Sequence, residues 1–258
     1  MRTLSCKLAA NRRAAEGIYL ATLDAPEIAK AASPGQFVHV SFSVETGSLL
    51  RRPFSIHAVE GDKIHILYRV VGAATFAMSH MRGGVKLDVL GPLGKPFNAP
   101  KSGPVILLGG GMGIAPLLFL AQKLSGKLDM KAIVAAKTAD GLARLAQLRK
   151  TGAQVLLCTE DGSRGKRGLA TEILEAELQK CEGKATVFAC GPAGMLKRAA
   201  QICAKAGAPC QVSLEEHMAC GIGVCLCCPV PVNSGGYKSV CKDGPVFDAR
   251  EVAWQALK

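Results

Sequence analysis

Aromatic side chains make up only 5% of the 258 residues, and no basic run is interleaved with them. Base stacking has little to work with, and no nucleic-acid partner is expected. Met1 to Gly17 holds Arg2, Lys7, Arg12 and Arg13 but no apolar run of signal-peptide length, so no export is expected. The eleven cysteines are therefore read as free thiols and metal ligands in a reducing cytoplasm rather than as a disulfide framework. Charge is missing between Lys101 and Lys123, and the mostly apolar stretch from Val105 to Ala121 would attract a scan for membrane spans. Gly109, Gly110, Gly111, Gly113 and Pro116 interrupt it, which suits a strand, a tight loop and a helix start better than a lipid-facing helix. No membrane association is expected.

What is present is a globular composition, 49% hydrophobic with 29 glycines, on a chain long enough for two domains and an appendage. The net charge of +12 is unevenly spread: residues 1–98 hold 12 basic and 7 acidic side chains, 99–211 hold 16 and 8, and 212–258 hold 4 and 5. The excess lies on the two larger segments, as a solvated surface or as an attraction for anionic dinucleotides.

Residues 1–99 carry short segments with β-branched or aromatic residues in partial alternation: Ile18–Leu23, Gln36–Phe42, Arg52–Val59, Lys63–Val71 and Val85–Leu90. With turns at Pro34-Gly35, Glu60-Gly61-Asp62 and Arg82-Gly83-Gly84, they predict an antiparallel β-barrel with one helical stretch near Thr75–Met81. Residues 100–211 alternate strand and helix, with strands at Val105–Leu108, Lys131–Ala136, Gln154–Cys158 and Ala185–Cys190. Helices are expected at Ala115–Leu124, Gly141–Lys150, Leu169–Lys180 and Ala193–Ala206. Such repeats predict a doubly wound parallel α/β domain that binds ligands at the carboxyl ends of its strands. The fold class is thus α/β plus β. The remaining segment, 212–258, has too few apolar residues to fold well without a bound metal centre.

That segment contains Cys220-Gly-Ile-Gly-Val-Cys225-Leu-Cys227-Cys228, answered by Cys241. With Cys227 set aside, Cys220, Cys225, Cys228 and Cys241 have the spacing C-x4-C-x2-C-x12-C of a plant-type [2Fe-2S] cluster. Zinc is the competing metal, although structural zinc usually shows two matched short knuckles.

The loop Gly109-Gly110-Gly111-Met112-Gly113 leads from strand to helix and suits a pyrophosphate, or serves only as a tight turn. Asp161-Gly162 and Cys190-Gly191-Pro192 follow later strands and would line the same sheet edge. In the barrel, Arg52-Pro53-Phe54-Ser55 and Tyr68-Arg69 through Gly72 to Thr75 offer groups for a second phosphorylated cofactor, or are ordinary strand ends.

Together these stretches resemble the ferredoxin–NADP reductase superfamily over nearly the whole chain. Within it they are similar to the family of iron–sulfur electron-transfer subunits of class 1B dihydroorotate dehydrogenase. Arg52-Pro-Phe-Ser55 looks like the flavin motif R-x-[YF]-S, Tyr68–Thr75 like the family's pyrophosphate segment, and Leu90-Gly-Pro-Leu-Gly-Lys-Pro-Phe97 like its L-G-P-x-G-x-x-F. Glu215, Met218, Cys220, Gly221, Gly223, Cys225 and Cys228 fall on E-x-x-M-x-C-G-x-G-x-C-x-x-C without insertion. Two departures are Ala74, where a glycine is common, and the additional Cys227.

The resemblance implies FAD in the barrel, held by Arg52, Ser55 and Thr75, and NAD(H) on the α/β domain, with Gly111 and Gly113 at the phosphates and Cys190 near the nicotinamide. It further implies a [2Fe-2S] cluster on the four cysteines, an FMN-containing dihydroorotate dehydrogenase catalytic subunit as partner, and a heterotetramer of two subunits of each kind. The absence of an obvious substrate acid or base agrees with a chain that only moves electrons. A sulfide dehydrogenase or hydrogenase electron-transfer subunit, or a zinc-stabilised nucleotide-binding protein, would account for the same motifs.

Overall fold

The structure is a computed structural model that describes residues 2–42, 47 and 49–257. Its first half is a seven-stranded antiparallel sheet in the order β4-β3-β7-β1-β2-β6-β5. These strands are β1 (Arg2–Ala15), β2 (Ile18–Asp24), β3 (Phe37–Val40), β4 (Arg52–Ser55), β5 (Ala58–Glu60), β6 (Lys63–Arg69) and β7 (Lys86–Leu93). The sheet curls until β4 meets β6, where the Phe54 and Tyr68 rings lie edge to face at 6.1 Å. Leu8, Leu23, Val38, Phe42, Ile56, Ile64, Ile66 and Val89 fill the interior. Two short helices belong to this half, α1 (Pro26–Ala31) and α2 (Ala73–His80).

Several boundaries differ from expectation. Strand β1 spans residues that the basic side chains had marked only as a charged N-terminus; it runs between β7 and β2, with Cys6 and Leu8 inward and Lys7 paired with Asp24. The stretch from Arg52 to Val59 is two strands, because the Ile56 N–H bonds Gln36 and the His57 N–H bonds His65 on different neighbours. Residues 43–46 and 48 lie outside the described residues, and no expectation falls on them.

The second half is a seven-stranded sheet in the order β11-β10-β9-β8-β12-β13-β16. Strands β8 (Val105–Gly110), β9 (Met130–Ala136), β10 (Gln154–Thr159), β11 (Lys166–Arg167), β12 (Thr186–Cys190) and β13 (Cys210–Ser213) are parallel, and β16 (Val246–Asp248) is antiparallel to β13. Every residue of β8 is buried, which explains its unbroken apolar run, and the charge-free stretch continues as an 11-residue helix, α3 (Ile114–Leu124). Among the described residues no helix is long and apolar enough to cross a membrane. Helix α4 (Leu145–Lys150) starts later than its pattern suggested, since residues 139–141 form a 3-10 turn and Arg144 takes a left-handed conformation, φ 62°. Helices α5 (Ala170–Lys180) and α6 (Ala193–Ala206) flank the sheet.

The segment between β13 and β16 carries the cysteines, a hairpin of β14 (Pro229–Pro231) and β15 (Tyr237–Ser239), and the short helix α7 (Val240–Asp243). Its Cys228, Val230, Val240, Cys241 and Phe247 join the core of the second sheet and reach Phe37 of the barrel.

Candidate functional site

Two cavities open where the sheets meet. The first, about 520 Å³, lies against the barrel. Arg52, Pro53, Phe54 and Ser55 of β4 line it together with Tyr68, Arg69, Gly72, Ala74 and Thr75. Its far wall is Met112 and Ala115 of the second half and Ser213–Glu216, Met218 and Pro245 of the cysteine segment. Thus the residues expected to hold a flavin do share one cavity, and three parts of the chain enclose it.

Thr75 does not point its hydroxyl into that cavity. The Oγ1 accepts the N–H groups of Val71 (2.9 Å) and Gly72 (3.1 Å) and donates to the Gly72 carbonyl (3.0 Å). It therefore fixes the turn that starts α2 and leaves the amides of that helix's first turn for an anion. Ala74 sits inside α2 with right-handed helical geometry, so the glycine common at this place is not required by its conformation. Tyr68 offers its ring, since its hydroxyl donates to Asn11 Oδ1 at 3.1 Å and burial pushes the phenol up to about 12. Arg51 is tied to Asp88 at 2.6 Å, while the Arg52 guanidinium donates to the Leu50 carbonyl at 2.7 Å beside the cavity.

The second cavity, about 950 Å³, follows the carboxyl edge of the parallel sheet. Gly110, Gly111, Met112 and Gly113 line it, as do Gly191 and Pro192, Ala136–Thr138, Glu160 and Arg198. Gly109 does not; it stays within β8. Gly113 allows the start of α3 to press against β12, because a Cβ there would overlap the Cys190 carbonyl. Cys190 itself is 1% exposed and lines neither cavity; burial raises its thiol far above the usual range. Asp161 and Gly162 also stand outside the lining. The Asp161 carboxylate accepts the Ser163 N–H (3.0 Å) and hydroxyl (2.6 Å), and Ser163 Oγ accepts the Ala139 N–H (2.8 Å), so this loop braces its neighbour while Glu160 faces the cavity.

Arg69, Met112 and Glu215 line both cavities. The protein surrounding Glu215 desolvates it and raises its carboxyl above the ordinary range although the side chain faces open space. Sequence reasoning placed Glu215 in a motif without a role; only the fold shows it at the junction.

Behind this junction His57, 0% exposed, joins the halves. Its Nδ1 lies 2.7 Å from the Ala115 carbonyl and its Nε2 accepts the Arg144 Nε–H at 3.2 Å, which assigns the proton to Nδ1. Burial, opposed by the Ala115 carbonyl and reinforced by Arg144, lowers its pKa to about 3.

The four expected ligand cysteines come together as two pairs. Cys220 contacts Cys225, and Cys228 contacts Cys241, whose N–H points at Cys228 Sγ from 3.4 Å. The Ile222 and Gly223 amides donate to the sulfurs of Cys220 (3.4 Å) and Cys241 (3.1 Å). Against the penalty of burial, the amides of Ile222, Cys225 and Val224 pull the Cys220 thiol down to about 6. Among the described residues no three Cys, His, Asp or Glu side chains converge on a single-ion site. Two thiol pairs with amides directed at sulfur fit a two-iron centre, in which each iron takes two thiolates, better than one tetrahedral zinc. Cys227 is exposed beside them.

A curled antiparallel sheet with a cavity on its strand motif, joined to a parallel sheet with a glycine-loop cavity, defines a ferredoxin reductase-like oxidoreductase carrying an added cysteine domain. A structure described as an NADH-dependent reduced ferredoxin-NADP oxidoreductase superimposes with a TM-score of 0.87 at 30% identity, covering 99% of this chain and 92% of that one. A ferredoxin NADP+ reductase from Neisseria gonorrhoeae with bound FAD and NADP shares the fold, with a TM-score of 0.67 at 18% identity over 80% of this chain and 92% of that one. Residues 215–253 match the iron-sulfur cluster binding domain of dihydroorotate dehydrogenase B. Dihydroorotate dehydrogenase B (NAD(+)) electron transfer subunits from Desulforamulus reducens and Caldanaerobacter subterraneus subsp. tengcongensis are 37% and 38% identical. Those alignments cover 98% and 96% of this chain and 99% and 98% of the relatives. The chain belongs to the family of dihydroorotate dehydrogenase B electron-transfer subunits.

Proposed function

We propose that the chain passes electrons between NAD(H) and a dihydroorotate-oxidising catalytic subunit through FAD and a [2Fe-2S] cluster, in pyrimidine biosynthesis. The observation that carries this reading is the sharing of walls: Arg69, Met112 and Glu215 border both cavities, and Glu216 and Met218, just before the first ligand cysteine, close the flavin cavity. FAD supplies hydride exchange with nicotinamide on one side and single-electron exchange with iron–sulfur on the other.

The residues of this chain bind and align. The first turn of α2, shaped by Thr75, and Arg52 would take the flavin phosphates, with Ser55 and the Tyr68 ring beside the isoalloxazine. Gly110, Gly111 and Gly113 would admit the dinucleotide phosphates close to backbone amides. Cys220, Cys225, Cys228 and Cys241 would hold two irons, pair by pair. The division that follows is a flavin unit over 1–99, a dinucleotide unit over 100–211 and a cluster unit over 212–258, the last lending β16 to the second sheet.

Ile222, Val224, Leu226 and Tyr237 are exposed around the cluster loop, at 37%, 75%, 71% and 73%. An apolar surface of that kind beside an electron outlet suits docking of the catalytic partner. An FMN-containing subunit in a heterotetramer is the partner proposed, in a reducing cytoplasm where the eleven cysteines serve as free thiols and cluster ligands rather than disulfides. Purification with the bound partner, followed by cofactor analysis and a visible spectrum, tests the reading. Flavin and iron–sulfur absorbance with NAD+-linked dihydroorotate oxidation is expected. A colourless, zinc-containing preparation would overturn it, and in Cys241→Ser, full retention of cluster absorbance would remove that ligand.

A further inference from the structure

His39 is fully buried in β3, 0% exposed, yet neither ring nitrogen has a hydrogen-bond partner among the described residues. An unpaired buried polar group costs free energy, and an aliphatic side chain would avoid that cost. A histidine here therefore has a donor to spare for an acceptor brought by a bound group.

The surroundings identify that acceptor. In register, His39 stands opposite Pro53 of β4 and Leu90 of β7, and it shares a face with Phe37, whose ring lies edge-on at 6.4 Å. Phe37, Arg52 and Pro53 line the flavin cavity. On its other side the ring meets the cysteine loop: a Cβ on Gly221, φ 72°, would lie 2.5 Å from His39 Nδ1, so only glycine lets the loop sit against the imidazole. The carbonyls of Cys220 and Arg51 are close enough to act on the ring without reaching hydrogen-bond geometry, and its charged neighbours are the guanidiniums of Arg51 and Arg52. A neutral imidazole carries one N–H to donate.

We propose that His39 donates this N–H to a sulfur of the [2Fe-2S] centre on the Cys220 side, so that a strand of the flavin barrel raises the reduction potential of the cluster. The inference rests on the cluster reading above. A hydrogen bond to a cluster sulfur stabilises the reduced state, which carries the additional negative charge, and so moves the potential upward. Because β3 also walls the flavin cavity, the same bond fixes the cysteine loop to the flavin side.

The test is an EPR-monitored redox titration of the purified complex with wild-type chain, His39→Leu and His39→Asn, together with wild-type chain labelled with ¹⁵N-histidine. The cluster is expected to persist in both variants, with a lower midpoint potential in His39→Leu and a partial return in His39→Asn, whose amide nitrogen stands near the place of Nδ1. The labelled wild type is expected to show hyperfine coupling of an imidazole nitrogen to the reduced cluster, a result that needs no variant to fold. Equal midpoints in all three proteins, or no imidazole coupling, would overturn the proposal. Absence of any [2Fe-2S] signal from the wild type would instead overturn the cluster reading beneath it.

Discussion

Ala74 shows how one side chain's meaning depends on its backbone. Its sequence position is one where the family commonly has glycine, but in α2 it needs no left-handed geometry, and its methyl is buried at the flavin cavity wall. Enlarging it should therefore act on the cofactor rather than on the fold. Ala74→Leu is expected to lose most of the flavin absorbance while far-UV circular dichroism stays as in the wild type. His57 makes a second prediction at this scale. Its folded pKa of about 3 lies below the 6.5 of an unperturbed histidine, so the unfolded chain binds the extra proton in between. The stability it contributes is complete above pH 6.5 and is lost as pH falls towards 3; His65, lowered mainly by burial, changes in the same direction. Urea titrations should show about 2 kcal/mol lost on this account between pH 7 and pH 5. In His57→Gln, which can still bond Ala115 and Arg144, that slope should flatten.

Among the elements, α5 is fastened to the sheet through a buried carboxylate. Glu177, 6% exposed, accepts Lys131 of β9 and Lys180 of its own helix, each at 2.6 Å. Glu177→Ala is expected to lower stability by about 1–3 kcal/mol in urea denaturation, without changing flavin content, because neither cavity is lined by this residue. At this scale the central α/β elements were legible, since β8, α3, β12 and α6 are continuous apolar or amphipathic runs bounded by glycine and proline. Strand β1 was not. Its fully buried side chains among the described residues are Cys6 and Leu8, with Leu4 and Ala15 packed at the core edges, and its partners lie at Gly91–Lys86 and Ile18–Asp24, so its strand character comes mainly from neighbours. The same holds for β16, three residues whose ladder among the described residues is with β13.

For the molecule as a whole, function depends on walls shared between parts distant in sequence. The apolar surface at Val224 and Leu226 is the docking face proposed above, and a charge there should separate the two ends of the relay. Val224→Glu is expected to leave NADH-dependent dye reduction near wild type while reducing NADH-linked turnover of the dihydroorotate-oxidising complex at least tenfold. Equal losses in both assays would place the surface inside the chain's own machinery.

The sequence by itself determined the chemistry available at each station: the spacing of Cys220, Cys225, Cys228 and Cys241, the glycines between β8 and α3, and the strand motif from Arg52 to Ser55. These are local patterns, set by what a compact loop or a single turn can do. Tertiary structure decided which of the marked residues face a cavity. It withdrew Cys190 and Asp161, brought Glu160 and Glu215 forward, paired the cysteines two by two, and set His39 against Gly221. Facing is a property of packed surfaces, fixed by strand order and by the entry of the cysteine segment between the two sheets, and no window of sequence contains both sides of such a contact.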